Sequence, residues 1–168
     1  MNNNYYDYAE ADYNMILKAY EANAYGNLTG SSSQNICEKF MKHLIDLYYN
    51  PETPDEERIK EDSLRTHSLR KLSKFLKQNL DFSFSDKTQH LLMEIDGYYF
   101  TARYPGDNSI ELDDDDINDC IECIKLCKNE VDAFIKENEL NNDFSEQLEQ
   151  DDDYNYEELE NSSESPEL

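Results

Sequence analysis

Tryptophan is absent from the 168-residue chain, and glycine, proline and cysteine number four each. With so few glycines, none clustered, there is no Gly-rich loop to cradle a phosphate. Only 38% of residues are hydrophobic, and no apolar run approaches the ~20 residues that a membrane span needs. The opening Met-Asn-Asn-Asn-Tyr-Tyr-Asp-Tyr has neither the basic nor the apolar segment of an export signal, which points to the cytoplasm. Basic residues are scarce as well: 15 Lys+Arg stand against 39 Asp+Glu, for a net charge of −24. Such a chain repels phosphate backbones, so direct nucleic-acid binding is not expected.

The acidity is concentrated at one end. Residues 139–168 hold 12 acids and no Lys or Arg, which leaves −12 on the rest. Large apolar groups are too sparse there to offset the entropy of ordering the chain. The expectation is a disordered acidic tail over 139–168, with at most a short helix around Phe144–Leu148. The Asn-rich first seven residues are expected to be loose too, leaving a folded unit over 8–138, long enough to bury a core.

Cys120-x-x-Cys123-x-x-x-Cys127 resembles the start of a metal site, but no histidine stands at ligand spacing, and a structural zinc needs four ligands. Ile117, Cys120, Ile121, Ile124, Cys127, Val131 and Phe134/Ile135 recur instead at helical spacing, with Cys123 off the stripe, so the thiols read as small core hydrophobes. Four consecutive carboxylates, Asp113–Asp116, fan around a helix axis and serve as a cap rather than a cation site. No metal and no cofactor is expected.

Periodicity predicts helices throughout and no strand. A first helix near 8–25 carries Tyr13, Ile16, Leu17, Tyr20 and Ala24 in a single stripe and stops at Gly26. A second, near 32–49, opens with capping-box spacing at Ser31-x-x-Gln34 and carries Glu38 and Lys42 on its outer face in i,i+4 order. The stretch 50–62, with two prolines and six acids, reads as a solvated loop. A third helix near 67–79, capped by Thr66 or Ser63, is the basic one, with Arg65, Arg70, Lys71, Lys74 and Lys77 in or beside it. A fourth runs from Ser85 to Arg103, ahead of Pro105, and a fifth from the aspartate run to about Lys136. The expected class is all-α: an antiparallel up-and-down bundle of four to five helices with the acidic tail.

The order of short motifs carries a resemblance. Gln34-Asn35-Ile36-Cys37-Glu38-Lys39-Phe40-Met41-Lys42 comes first, then Thr66-His67-Ser68-Leu69, then Arg103-Tyr104-Pro105 before the last helix. Over about residues 10–138 this series resembles the HEPN family (higher eukaryotes and prokaryotes nucleotide-binding). The resemblance implies a helical bundle that usually dimerises, often beside or fused to a minimal nucleotidyltransferase as a toxin–antitoxin pair.

Catalytic HEPN members are ribonucleases whose site is an arginine and a histidine with four to six residues between them. Here Arg103 is followed by Tyr104, Pro105, Gly106, Asp107 and Asn108, and no histidine lies beyond His90. Arg65 precedes His67 by only two positions. Asn108 cannot take a proton at neutral pH, so general acid–base work there is lost. The expectation is a non-enzymatic, dimeric module in the sense the family implies, recognising a partner protein or a nucleotide. Its candidate ligand- or partner-binding residues are Arg103, Tyr104, Asp107, Asn108, His67, Lys39 and Lys42. The alternatives are a divergent ribonuclease and an acidic mimic of nucleic acid that blocks a nucleic-acid-binding protein. Arg103 also has a plainer role open to it, neutralising a helix C-terminus or pairing with an acid of the last helix.

Overall fold

A computed structural model describes the backbone of residues 4–161 and the side chains of residues 4–141. It is all-helical: α1 (Tyr5–Glu21), α2 (Asn27–Tyr48), α3 (Pro54–Arg65), α4 (Leu69–Asn79), α5 (Asp86–Ile95), the single turn α6 (Tyr98–Thr101) and α7 (Asp114–Asn161). No strand occurs among the described residues, and no helix there is long and apolar enough to cross a membrane. The chain divides into two compact units, one up to Asp132 and one from Ala133 onward.

In the first unit α2 is the central element, packed against α1, α3, α4, α5 and α6. Its Ile36, Cys37, Phe40, Met41, Leu44 and Ile45 are fully buried. Leu69, Leu72 and Leu76 of α4, Leu92 and Ile95 of α5, and Ile117, Ile124 and Val131 of α7 complete the core. Each such side chain contributes roughly 1.5–3 kcal/mol of burial. The apolar stripe expected of the last helix is buried from Ile117 to Val131. Cys123 departs from expectation: it is fully buried rather than off the stripe, because Cys37 of α2 faces it with the sulfurs 4.0 Å apart.

Several boundaries differ from those the sequence suggests, each for a local reason. α1 begins at Tyr5 because the Asn4 side chain accepts the Asp7 N–H at 2.9 Å, so the residues from Asn4 on are not loose. It ends at Glu21, and Asn23, at φ 54°, takes the left-handed turn. Gly26 opens α2 instead of closing α1: its carbonyl accepts Thr29 N–H at 2.8 Å and its N–H donates to Thr29 Oγ1 at 3.3 Å. Ser31 and Gln34 therefore lie inside the helix. The segment 50–62 is not a loop. Thr53 caps α3, with Pro54 in the first turn and Glu56 returning a bond to Thr53 N–H at 3.0 Å. No residue of α3 is buried, which is why hydrophobic periodicity misses it.

α4 starts at Leu69 with Ser68 as its cap, rather than Ser63 or Thr66. The helix expected over 85–103 is broken at Gly97, whose φ of 116° no L side chain adopts cheaply, and resumes as α6. Asp113 caps α7, accepting Asp115 and Asp116 N–H at 3.0 Å each. Gly30 lets the α6 region lie close on α2: a Cβ there would meet Leu112 Cδ1 at 2.4 Å and Tyr98 Cδ2 at 3.0 Å.

The second unit comprises, in its described part, the continuation of α7, in which Asn138 Nδ2 donates to the Phe134 carbonyl at 2.8 Å. The expectation of a disordered tail falls largely outside the described residues, which exclude the side chains from 142 and the backbone from 162.

Candidate functional site

Gln34, Glu38 and Lys42 lie at i, i+4 and i+8 of α2 and so share one face of that helix. Gln34 is a clamp. Its Oε1 accepts the backbone N–H groups of Gly97 at 3.0 Å and Tyr99 at 2.6 Å, and its Nε2 donates to the His67 carbonyl at 2.8 Å. One buried amide thus fixes the segment before α4 to the segment that opens α6. Asp96 adds a second tie across the same gap. Its carboxylate accepts Ser68 Oγ at 3.0 Å and Leu69 N–H at 2.9 Å, capping α4 from another element.

One turn along, Glu38 is only 4% exposed and pairs with Lys42 Nζ at 2.6 Å, itself 6% exposed. His67 Nδ1 lies 3.2 Å from both Glu38 oxygens. The His67 ring stacks on Tyr99, with centroids 5.4 Å apart and planes within 1°. Tyr99 Oη in turn accepts from Arg103 Nη1 at 3.2 Å, and the guanidinium lies over the rings of Tyr99 (5.4 Å) and Tyr104 (5.5 Å). A contact chain therefore runs from the buried Lys42–Glu38 pair through His67 and Tyr99 to the exposed Arg103.

Two clefts share Arg103. One, of about 250 Å³, is lined by Asp12, Met15, Leu28, Ser31, Ser32, Asn35 and Tyr99. The other, of about 560 Å³, is lined by Asn27, Thr101, Tyr104, Pro105, Ser109, Ile110 and Glu111 among others. Arg103 pairs with no carboxylate among the described residues. Its one side-chain hydrogen bond goes to Tyr99 Oη, and the arginine neither caps a helix end nor bridges to α7. The two tyrosine rings flank the guanidinium at cation–π distance, and beyond the Nη1 bond to Tyr99 its N–H donors have no partner among the described residues and can meet an oxyanion.

The sequence-derived candidates separate into groups. Arg103, Tyr104 and His67 come together through Tyr99. Asp107 and Asn108 sit exposed in the following turn, closed by Ser109 N–H donating to the Gly106 carbonyl at 3.0 Å, and line neither cleft. Lys42 and Glu38, expected on the outer face of α2, are instead buried against each other, and Lys39 pairs with Asp12 on the cleft rim. Tyr99 and Gln34 were not candidates. Gln34 reads as a cap residue in the sequence, and only the break at Gly97 reveals what it holds.

These features define a helical bundle with an arginine-centred surface site carried on a buried polar network. In a comparison with protein families, residues 57–151, more than half of the chain, match the HEPN domain. The chain belongs to the HEPN domain family. The matched stretch takes in His67, Arg103, Tyr104, Asp107 and Asn108. No curated protein and no solved structure matches the chain.

Proposed function

We propose that the chain is a non-catalytic HEPN module that binds an anionic ligand, the phosphate of a nucleotide, at Arg103. The observation that carries this is the aromatic-clamped guanidinium with no carboxylate partner among the described residues. Phosphate oxygens take the free N–H edge, and the exposed Tyr104 offers a face on which a base stacks. His67 acts as a support: its Nδ1 is held by Glu38, and no second proton-transfer group stands within the contacts it makes.

The module works as a homodimer with a protein partner, in the manner of a toxin–antitoxin pair with a minimal nucleotidyltransferase. Exposed Met15, Leu28, Phe100 and Tyr104 around the site favour a protein neighbour there. Its place of action is the cytoplasm, and it makes no direct use of nucleic acid. Titration calorimetry with adenosine monophosphate tests the ligand. Saturable binding that is lost in Arg103→Ala is expected, and equal heats from both proteins would overturn the reading. Cleavage of a labelled RNA by wild type but not Arg103→Ala would replace it with the ribonuclease alternative.

A further inference from the structure

α4 is the one helix of the first unit with cations and no acid. Arg70, Lys71, Lys74 and Lys77 are all exposed. None of the four side chains makes an ion pair or hydrogen bond among the described residues, whereas Lys39, Lys42, Arg58, Arg65, Lys87 and Lys128 are all ion-paired. The fold does not need them. α4 is held by buried Leu69, Leu72, Phe75 and Leu76, by the Ser73–Gln89 bond and by the Asp96 cap. Arg70 and Lys71 even stand in the first turn, where the helix dipole disfavours cations. Helix stability alone selects against that placement.

We propose that the exposed face of α4 is a docking surface for an acidic helical segment of a partner protein. The proposal rests on α4 alone and stands whether or not Arg103 holds an anion. Arg70, Lys74 and Lys77 form a ridge at i, i+4 and i+7, stepping by roughly 6 and 4.5 Å along the axis. A facing antiparallel helix with carboxylates at i, i+3 and i+7 pairs with it residue for residue. A two- to three-turn acidic helix ends where the stripe ends. A nucleic acid runs on past α4 over a molecule of net charge −24, and α4 offers it no stacking platform, since Phe75 is buried.

The test uses the full chain and a blocked, fluorescent peptide of about 14 residues with Glu at i, i+3 and i+7 in a helix-forming Ala/Gln background. Anisotropy is read at about 50 and about 300 mM NaCl. Saturable, salt-sensitive binding is expected, weakened at least about tenfold in R70E/K74E/K77E and retained in the K18E/K125E control. R70Q/K74Q/K77Q serves if the triple Glu variant fails to fold by circular dichroism. The proposal fails if wild type does not bind the peptide at low salt. It fails equally if the α4 variant binds as well as wild type, or if a single-stranded RNA oligomer binds through α4 more tightly than the peptide.

Discussion

His67 lies flat against Tyr99, with the ring planes 1° apart, while its Nδ1 faces the buried carboxylate of Glu38. The histidine therefore transmits the position of an interior ion pair to the surface ring on which Arg103 rests. Removing the ring leaves Tyr99 without a backing. His67→Ala is expected to weaken nucleotide binding several-fold while leaving Arg103 in place. His67→Phe, which keeps the stacking plane but not the bond to Glu38, should recover part of it; titration of both variants checks this.

Glu38 compensates a lysine that is nearly as buried as itself. Glu38→Ala strands the Lys42 ammonium in the core, and stability should fall by about 3–5 kcal/mol. The double variant Glu38→Ala/Lys42→Met removes the stranded charge and should recover much of that loss. Urea denaturation of the two variants beside wild type measures both steps.

Gln34 satisfies two backbone donors and one backbone carbonyl at once. Gln34→Ala leaves the Gly97 and Tyr99 N–H groups unpaired, at a cost of about 1–3 kcal/mol. Because those two residues open α6, the variant should also show faster amide exchange at 97–103 than elsewhere. A uniform change along the chain would contradict the clamp.

All four thiols are buried. Burial pushes the Cys37 thiol well above its usual range and Cys120 up to about 12, so both are protonated and unreactive at neutral pH. The native protein is expected to release almost no thionitrobenzoate with Ellman's reagent, and the urea-unfolded protein four equivalents.

Burial lowers the pKa of His43 beside the Tyr6 ring, an effect that the nearby Asp46 and Asp7 oppose without reversing. The unfolded chain then binds the proton more tightly than the native one, so His43 lowers stability as pH falls through about 6.5. The loss levels off below the native pKa. His43→Gln should flatten the pH dependence of the melting temperature between pH 7 and 5 relative to wild type.

The all-helical class was legible because the interior faces of α2, α4 and α7 repeat their apolar residues at helical spacing. α3 escaped because its signal lies in a cap, Thr53-Pro54-Asp55-Glu56, and not in buried residues. Gly97 was a visible helix breaker, yet its weight became plain only beside the two N–H groups that Gln34 holds. Arg103 was marked by the residues around it. Tyr99 was not, since thirteen tyrosines spread along the chain give no reason to single one out before the fold brings it between His67 and Arg103.

Binding of an anion at Arg103 is read in nitrogen-15 amide spectra of the full chain, recorded as adenosine monophosphate is added. Saturable shifts concentrated at Tyr99, Arg103 and Tyr104 are expected, and none in Arg103→Ala. Unchanged spectra, or shifts that survive in Arg103→Ala, would show that Arg103 holds no anion.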